Sequence, residues 1–206
     1  MKPRGWHHRN YLPHLELAGR ATGITFRLAD SLPGKVIEQW KRELSGLADD
    51  QAAAKLAAKI AAYEDAGFGS CWLRKPPCAK IMADALQHFD GERYHLIEWC
   101  VMPNHVHVLI RLNAGHCFDS VVRSWKNFTA RRINEFAARS GCLWAPDYFD
   151  RVIRDEKHLA RARQYVRMNP VKAGLCATPE AWPWSSASRT ARLQSRPTAP
   201  TGPRDS

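Results

Sequence analysis

No uninterrupted apolar run in these 206 residues approaches the roughly 18 that argue for a membrane span. The opening MKPRGWHHRN also lacks the apolar stretch of a signal peptide. These absences argue against membrane insertion and secretion and predict a cytoplasmic chain. Paired cysteine spacing is missing as well. Cys71, Cys78, Cys100, Cys117, Cys142 and Cys176 contain no CxxC, so they read as reduced, mostly buried small hydrophobes and not as a zinc site or redox pair. Acid is in short supply: 31 Lys and Arg face 20 Asp and Glu, a formal net charge of +11. That excess fits a polyanionic partner or serves solubility alone. A hydrophobic share of 45% is enough for a core, and the length favours one large domain plus appendages.

The charge is unevenly placed. Residues 31–150 carry 15 basic and 14 acidic side chains, whereas 151–206 carry 11 and 4. Much of the second excess lies in 151–172, where Arg151, Arg154, Lys157, Arg161, Arg163, Arg167 and Lys172 face only Asp155 and Glu156. From about Ser188, Pro, Ser, Thr and Arg replace apolar residues, which predicts a domain over 1–187 and a disordered basic tail over 188–206.

Between these ends strands and helices alternate. TGITFRL (22–28) reads as a strand. Pro33-Gly34 opens a helix, Asp49/Asp50 cap a second, alanine-rich one, and 76–89 form a third that tolerates proline in its first turn. Arg93–Met102 and His105–Leu112 read as a hairpin broken at Pro103-Asn104. A helix near 119–138 has Val121, Val122, Trp125, Phe128 and Phe136 as its expected buried face. The strand YFDRVI (148–153) leads to a helix capped by Asp155 and ended by Pro170. This order predicts an α+β sandwich with helices on one face of a mostly antiparallel sheet.

His105 and His107 are the most chemically pointed residues. Strand alternation puts both on one face, about 6.6 Å apart along the chain, with Val106 and Val108 opposite. Two imidazoles so placed can converge on a divalent ion suited to phosphoryl chemistry. Alternate histidines also suit an ordinary polar strand surface, and the spacing alone does not separate the two. On the last helix, Tyr165 and Asn169 are neighbours one turn apart, flanked by Arg161, Arg163 and Arg167. A tyrosine beside an amide oxygen on a basic helix suits a phenolate attacking a phosphodiester while the amide completes a metal site. Taken singly, each also reads as an edge-of-core or helix-end residue.

PNHVHVLI (103–110), SWKNFTARRIN (124–134), YFDRVIRDEKHL (148–159) and YVRMNPVKAGL (165–175), with RNYLPHLEL (9–17), together resemble the REP-associated tyrosine transposases of the IS200/IS605-like, His-hydrophobic-His branch. The resemblance runs from about Arg9 to Ser186. It implies a ferredoxin-like central antiparallel sheet with packed helices, the single-tyrosine transposase fold. Carried over, His105 and His107 match the metal-binding pair, Tyr165 the nucleophile and Asn169 the third ligand, whereas Tyr148 does not occupy the nucleophile position. The resemblance further implies Mg²⁺ or Mn²⁺, single-stranded or hairpin DNA as partner, and a monomer or homodimer. Cleavage and rejoining would pass through a 5′-phosphotyrosine. Arg9, Asn10, His14, Lys126, Arg154 and Arg161 are the expected DNA contacts. A non-catalytic hairpin-DNA-binding protein derived from a transposase is the alternative. The stretch 41–66 is longer than in compact members, and its role is open.

Overall fold

The structure is a computed structural model that describes residues 5–9, 12–16 and 19–194, without the side chains of 5–16, Asp50 and 191–194. Strands β1 (Gly5–Arg9) and β2 (Leu12–Glu16) pair as a separate antiparallel ribbon. The central sheet has four antiparallel strands in the order β4 (Tyr94–Val101), β5 (His105–Leu112), β3 (Ala21–Arg27), β6 (Phe149–Val152). Helix α3 (Pro76–His88) links β3 to β4, and α4 (Phe118–Phe136) links β5 to β6. That is the βαββαβ arrangement of a ferredoxin-like α+β fold. Helices α1 (Gly34–Leu44) and α2 (Asp49–Asp65) form a hairpin inserted before α3. The aspartates at 49 and 50 fall in the first turn of α2, and Ala48 takes the cap position.

Period-two alternation divides the sheet. Ile24, Phe26, Leu28, Val106, Val108 and Ile110 point into one buried cluster with Met82, Leu86, Val121, Val122, Trp125 and Ile133 of α3 and α4. Ala21 and Leu109 point the other way, where Leu159 and Ala162 of α5 (Glu156–Lys172) cover them. Helices therefore lie on both faces, not on one as the sequence suggests, and the second face carries the histidines.

Two side chains expected in the core are outside it: Phe128 is 44% and Phe136 52% exposed. Thr129 and Ile133 take the buried stripe instead. Thr129 pays no penalty there, because its hydroxyl donates to Trp125 O at 2.7 Å and accepts from Trp144 Nε1 at 2.9 Å. Trp125 Nε1 donates to Tyr94 Oη at 3.0 Å, and Tyr94 donates to Leu86 O at 2.7 Å, so both buried aromatic polar tips are satisfied.

Asp155 caps α5 as expected, its Oδ1 accepting from His158 N at 2.7 Å. Pro170 does not end the helix, which runs to Lys172. Leu175 N bonds Pro170 O at 2.9 Å, so the proline carbonyl still serves the helix end. Helix α6 (Ser186–Gln194) occupies the start of the polar tail; Ala187 and Ser188 are buried there, while 195–206 lie outside the described residues. Of the cysteines only Cys78 and Cys100 are buried, and all six are free thiols. Among the described residues no helix is long and apolar enough to cross a membrane.

Candidate active site

His105 and His107 are both buried, on the sheet face covered by α5. Their Nε2 atoms stand 2.9 Å apart. Asn104 fixes the tautomer of His105. Its Nδ2 donates to Phe68 O at 2.9 Å, so its Oδ1 must be the acceptor, and His105 Nδ1–H donates to it at 2.8 Å. The Nε2 of His105 is left as a lone pair. His107 Nδ1 pairs at 2.9 Å with Thr25 Oγ1, its register partner on β3. Burial pushes both imidazoles down in pKa, His107 to about 4 and His105 well below its ordinary value, with His107 adding to the effect on His105. Both are therefore neutral at pH 7, the form that ligates metal.

Tyr165 projects from α5 over this pair, its ring centroid 5.4 Å from that of His107, and it is 39% exposed. Lys172 Nζ stands 5.1 Å above the Tyr165 ring. One turn on, Asn169 is fully buried; its Nδ2 donates to Tyr165 O at 2.8 Å, while its Oδ1 has no protein partner. A buried amide oxygen left without a donor is costly and calls for a cation or water.

Asp65, at the end of α2, completes the cluster and was not legible in the sequence. Its Oδ1 lies 3.7 Å from His105 Nε2, and one ligand atom each of Asp65, His105 and His107 lies within 4.8 Å of the others. Two donors on adjacent vertices of an octahedral ion, each roughly 2.1 Å away, stand about 3 Å apart, close to the observed imidazole separation. The donor set of two imidazoles and a carboxylate fits a divalent cation. Burial raises the pKa of Tyr165, and the Asp65 charge raises it further, against the opposing pull of Asn169, and of Arg151 more weakly. Without a cation the site therefore holds Tyr165 as the neutral phenol.

Next to Asp65, Glu64 is buried and its pKa is raised to about 7, chiefly by loss of solvation, with Arg27 pulling it down. A carboxyl with a raised folded-state pKa binds more protons folded than unfolded between pH 4.5 and 7, so this group's contribution to stability falls as pH rises through that window. Glu64→Gln removes the ionisation. Its unfolding free energy should exceed that of wild type by a margin that widens from pH 5 to pH 8, up to about 3 kcal/mol, with the melting temperature rising in step. Equal margins at both pH values in thermal unfolding would contradict this.

The expected DNA contacts divide. Arg154 and Arg161 are exposed on the α5 side, Arg161 one turn before Tyr165. Arg9 and His14 fall in β1 and β2, but their side chains, and Asn10 altogether, lie outside the described residues. Lys126 is not a free phosphate binder. Its Nζ donates to Ala145 O at 3.0 Å, Pro146 O at 3.4 Å and Asp147 O at 2.9 Å, so the ammonium staples the 145–147 segment to α4. Lys126→Met keeps the stem but frees those carbonyls, and should cost about 1–3 kcal/mol in chemical denaturation. Unchanged stability would remove the staple from the account. Arg163 and Arg167, on either side of Tyr165 in sequence, instead pair with buried Glu98, Nε to Oε2 at 3.2 and 3.0 Å. Glu98 also accepts from Ser186 Oγ, which ties α6 to the same cluster. Tyr148 is buried and its hydroxyl donates to Asp119 Oδ1 at 2.9 Å, within the α4 side of the fold.

Residues 75–169 match the family model described as Transposase IS200 like. A protein of Haemophilus influenzae described as a REP-associated tyrosine transposase is 27% identical over 114 residues, covering 50% of this chain and 65% of that one. The REP-associated tyrosine transposase of Escherichia coli is 25% identical over 96 residues, 47% of this chain and 56% of that one. The matched stretches thus span less than two thirds of either relative. Among solved structures, a REP-associated tyrosine transposase bound to a REP hairpin superposes with a TM-score of 0.54 at 18% identity, over 97% of this chain and 94% of that chain. That likeness establishes the shared fold. Residues 75–169, which hold the histidine pair, the tyrosine and the buried asparagine, are thus the stretch that matches the IS200-like transposase family, and the chain is similar to the REP-associated tyrosine transposases.

Proposed function

We propose that this protein is a metal-dependent single-strand DNA endonuclease and strand-transfer enzyme that acts on hairpin DNA through a 5′-phosphotyrosine. One observation carries the reading: a partly exposed tyrosine stands over two buried imidazoles whose Nε2 atoms face each other at 2.9 Å. His105, His107 and Asn169 would hold Mg²⁺ or Mn²⁺, with Asp65 beside them. When bound, the cation supplies charge stabilisation at a phosphate oxygen and at the leaving 3′-oxygen.

Tyr165 Oη attacks phosphorus and loses its phenolic proton. The bond from phosphorus to the 3′-oxygen breaks, leaving a 5′-phosphotyrosine and a 3′-hydroxyl. Rejoining is the reverse exchange, in which a 3′-hydroxyl attacks the phosphotyrosine and the phenol departs, so no external energy source is required. At neutral pH an ordinary tyrosine is only about 0.1% phenolate, and this one starts lower because of burial and Asp65. Asn104 and Thr25 act as positioning residues, Asn104 by accepting from His105 Nδ1–H so that the His105 Nε2 lone pair turns inward, and Thr25 by holding the His107 ring through its Nδ1. Arg154 and Arg161, together with the Arg9, Asn10 and His14 arm, would take backbone phosphates, each contact costing about 0.7 log unit of affinity per tenfold rise in salt for a single strand.

The solved relative was bound to a REP hairpin, and a hairpin with an unpaired flank is the substrate class proposed here. The test is incubation of the protein with such an oligonucleotide and Mn²⁺. A covalent protein–DNA species and a shortened strand with a free 3′-hydroxyl are expected. Tight hairpin binding with no cleavage or adduct would overturn the enzyme reading in favour of a non-catalytic hairpin binder.

A further inference from the structure

Three aromatic rings run in contact from the α1–α2 hairpin toward the histidine pair. Trp40 meets Tyr63 edge-on with centroids 5.7 Å apart, and Tyr63 stacks on Phe68 at 4.3 Å and 30°. Lys59 Nζ lies 5.6 Å over the Trp40 ring. The end of the row is open to solvent: Phe68 is 49% exposed.

The backbone is built to hold that ring outward. Gly67, Gly69 and Cys71 all have positive φ, at 75°, 91° and 48°, a concentration of left-handed residues that costs the chain something at the non-glycine position. A Cβ on Gly69 would meet Asp30 O at 2.9 Å, so the loop is pressed against the body of the fold. Asp30 Oδ2 accepts from Ser70 N at 2.8 Å on one side of Phe68. At Phe68 itself, the carbonyl accepts from Asn104 Nδ2, the same amide that orients His105. The exposed ring is thus linked to the first histidine through a single side chain.

A small cleft of about 80 Å³ lies next to this loop, lined by Gly67, Asn104 and His105 together with Arg74, Glu64 and Asp65. The two acids make it a poor site for a bare anion. It is too small for a nucleotide, so a base would lie outside it against the exposed Phe68 ring, with its phosphate toward Arg74 and His105 at the cleft mouth. Paired DNA buries both faces of its bases, so only an unpaired base fits.

We propose that Phe68, backed by Tyr63 and Trp40, is the stacking platform for an unpaired base of single-stranded DNA beside the phosphate held at His105 and His107. The inference rests on the single-strand reading above and adds the residue that seats the base. Phe68 lies outside the buried core, so its replacement leaves the fold intact.

The experiment uses the full chain without divalent metal and a short single-stranded oligonucleotide carrying 2-aminopurine at successive positions. Wild type should quench the probe at one position. Phe68→Ala should lose that quenching and bind about 10-fold more weakly, Phe68→Trp should retain both, and Phe136→Ala on the opposite side of the sheet should match wild type. Wild-type affinity and quenching in Phe68→Ala would overturn the platform while leaving the cleavage reading intact. Failure of the wild type to bind single strands at all, with or without Mn²⁺, would overturn both.

Discussion

Tyr165→Phe should abolish the covalent DNA adduct, a loss of roughly a thousandfold or more in cleavage, while hairpin binding stays close to wild type. The change removes one oxygen and leaves the ring where it packs, 5.4 Å from His107 and beneath Lys172. Because the side chain is 39% exposed and lies outside the buried core, folding should stay close to wild type. A structural role would have the opposite signature, with lowered stability and retained chemistry. A gel-shift titration alongside denaturing electrophoresis separates the two, and a persistent adduct in the variant would move the nucleophile elsewhere.

His105→Ala should weaken Mn²⁺ binding by at least about 100-fold and remove cleavage with it. The imidazole is the hub of the cluster. It faces His107 at 2.9 Å, lies 3.7 Å from Asp65 and is oriented by Asn104. Its loss removes one lone pair outright and releases the amide that holds the Phe68 loop. Calorimetric titration with Mn²⁺ reads the effect without DNA, so metal affinity is measured apart from catalysis, and circular dichroism confirms that the variant remains folded. Unchanged Mn²⁺ affinity would mean that the ion is held elsewhere.

Local periodicity made the strand pair and the last helix readable. Alternation over PNHVHVLI places Val106 and Val108 in the core and the histidines opposite, as found, and four-residue spacing on α5 sets Asn169 one turn beyond Tyr165. What stayed hidden depends on contacts between distant segments. Asp65 is forty residues from His105 in sequence and reaches it only because α1 and α2 fold back as a hairpin; in the sequence it is one of two acids ending an alanine-rich helix. Asn104 reads as a turn residue beside proline, and nothing local signals that its amide joins Phe68 to His105. Lys126 reads as a surface cation because the carbonyls that bind it come from residues 145–147. On α4 the larger apolar residues, Phe128 and Phe136, outweighed Thr129 in the reading of the face, yet Thr129 is the one that finds partners for its polar atom in the core.

The central claim is that Tyr165 joins DNA covalently at a cation held by the histidine pair. It is tested most directly by trapping the product of a flanked hairpin oligonucleotide with Mn²⁺, digesting the protein and locating the modified peptide by mass spectrometry. The account predicts a nucleotide attached through its 5′-phosphate to Tyr165, present with Mn²⁺ and absent with chelator. An adduct on any other residue, or one that forms equally well in chelator, would contradict it.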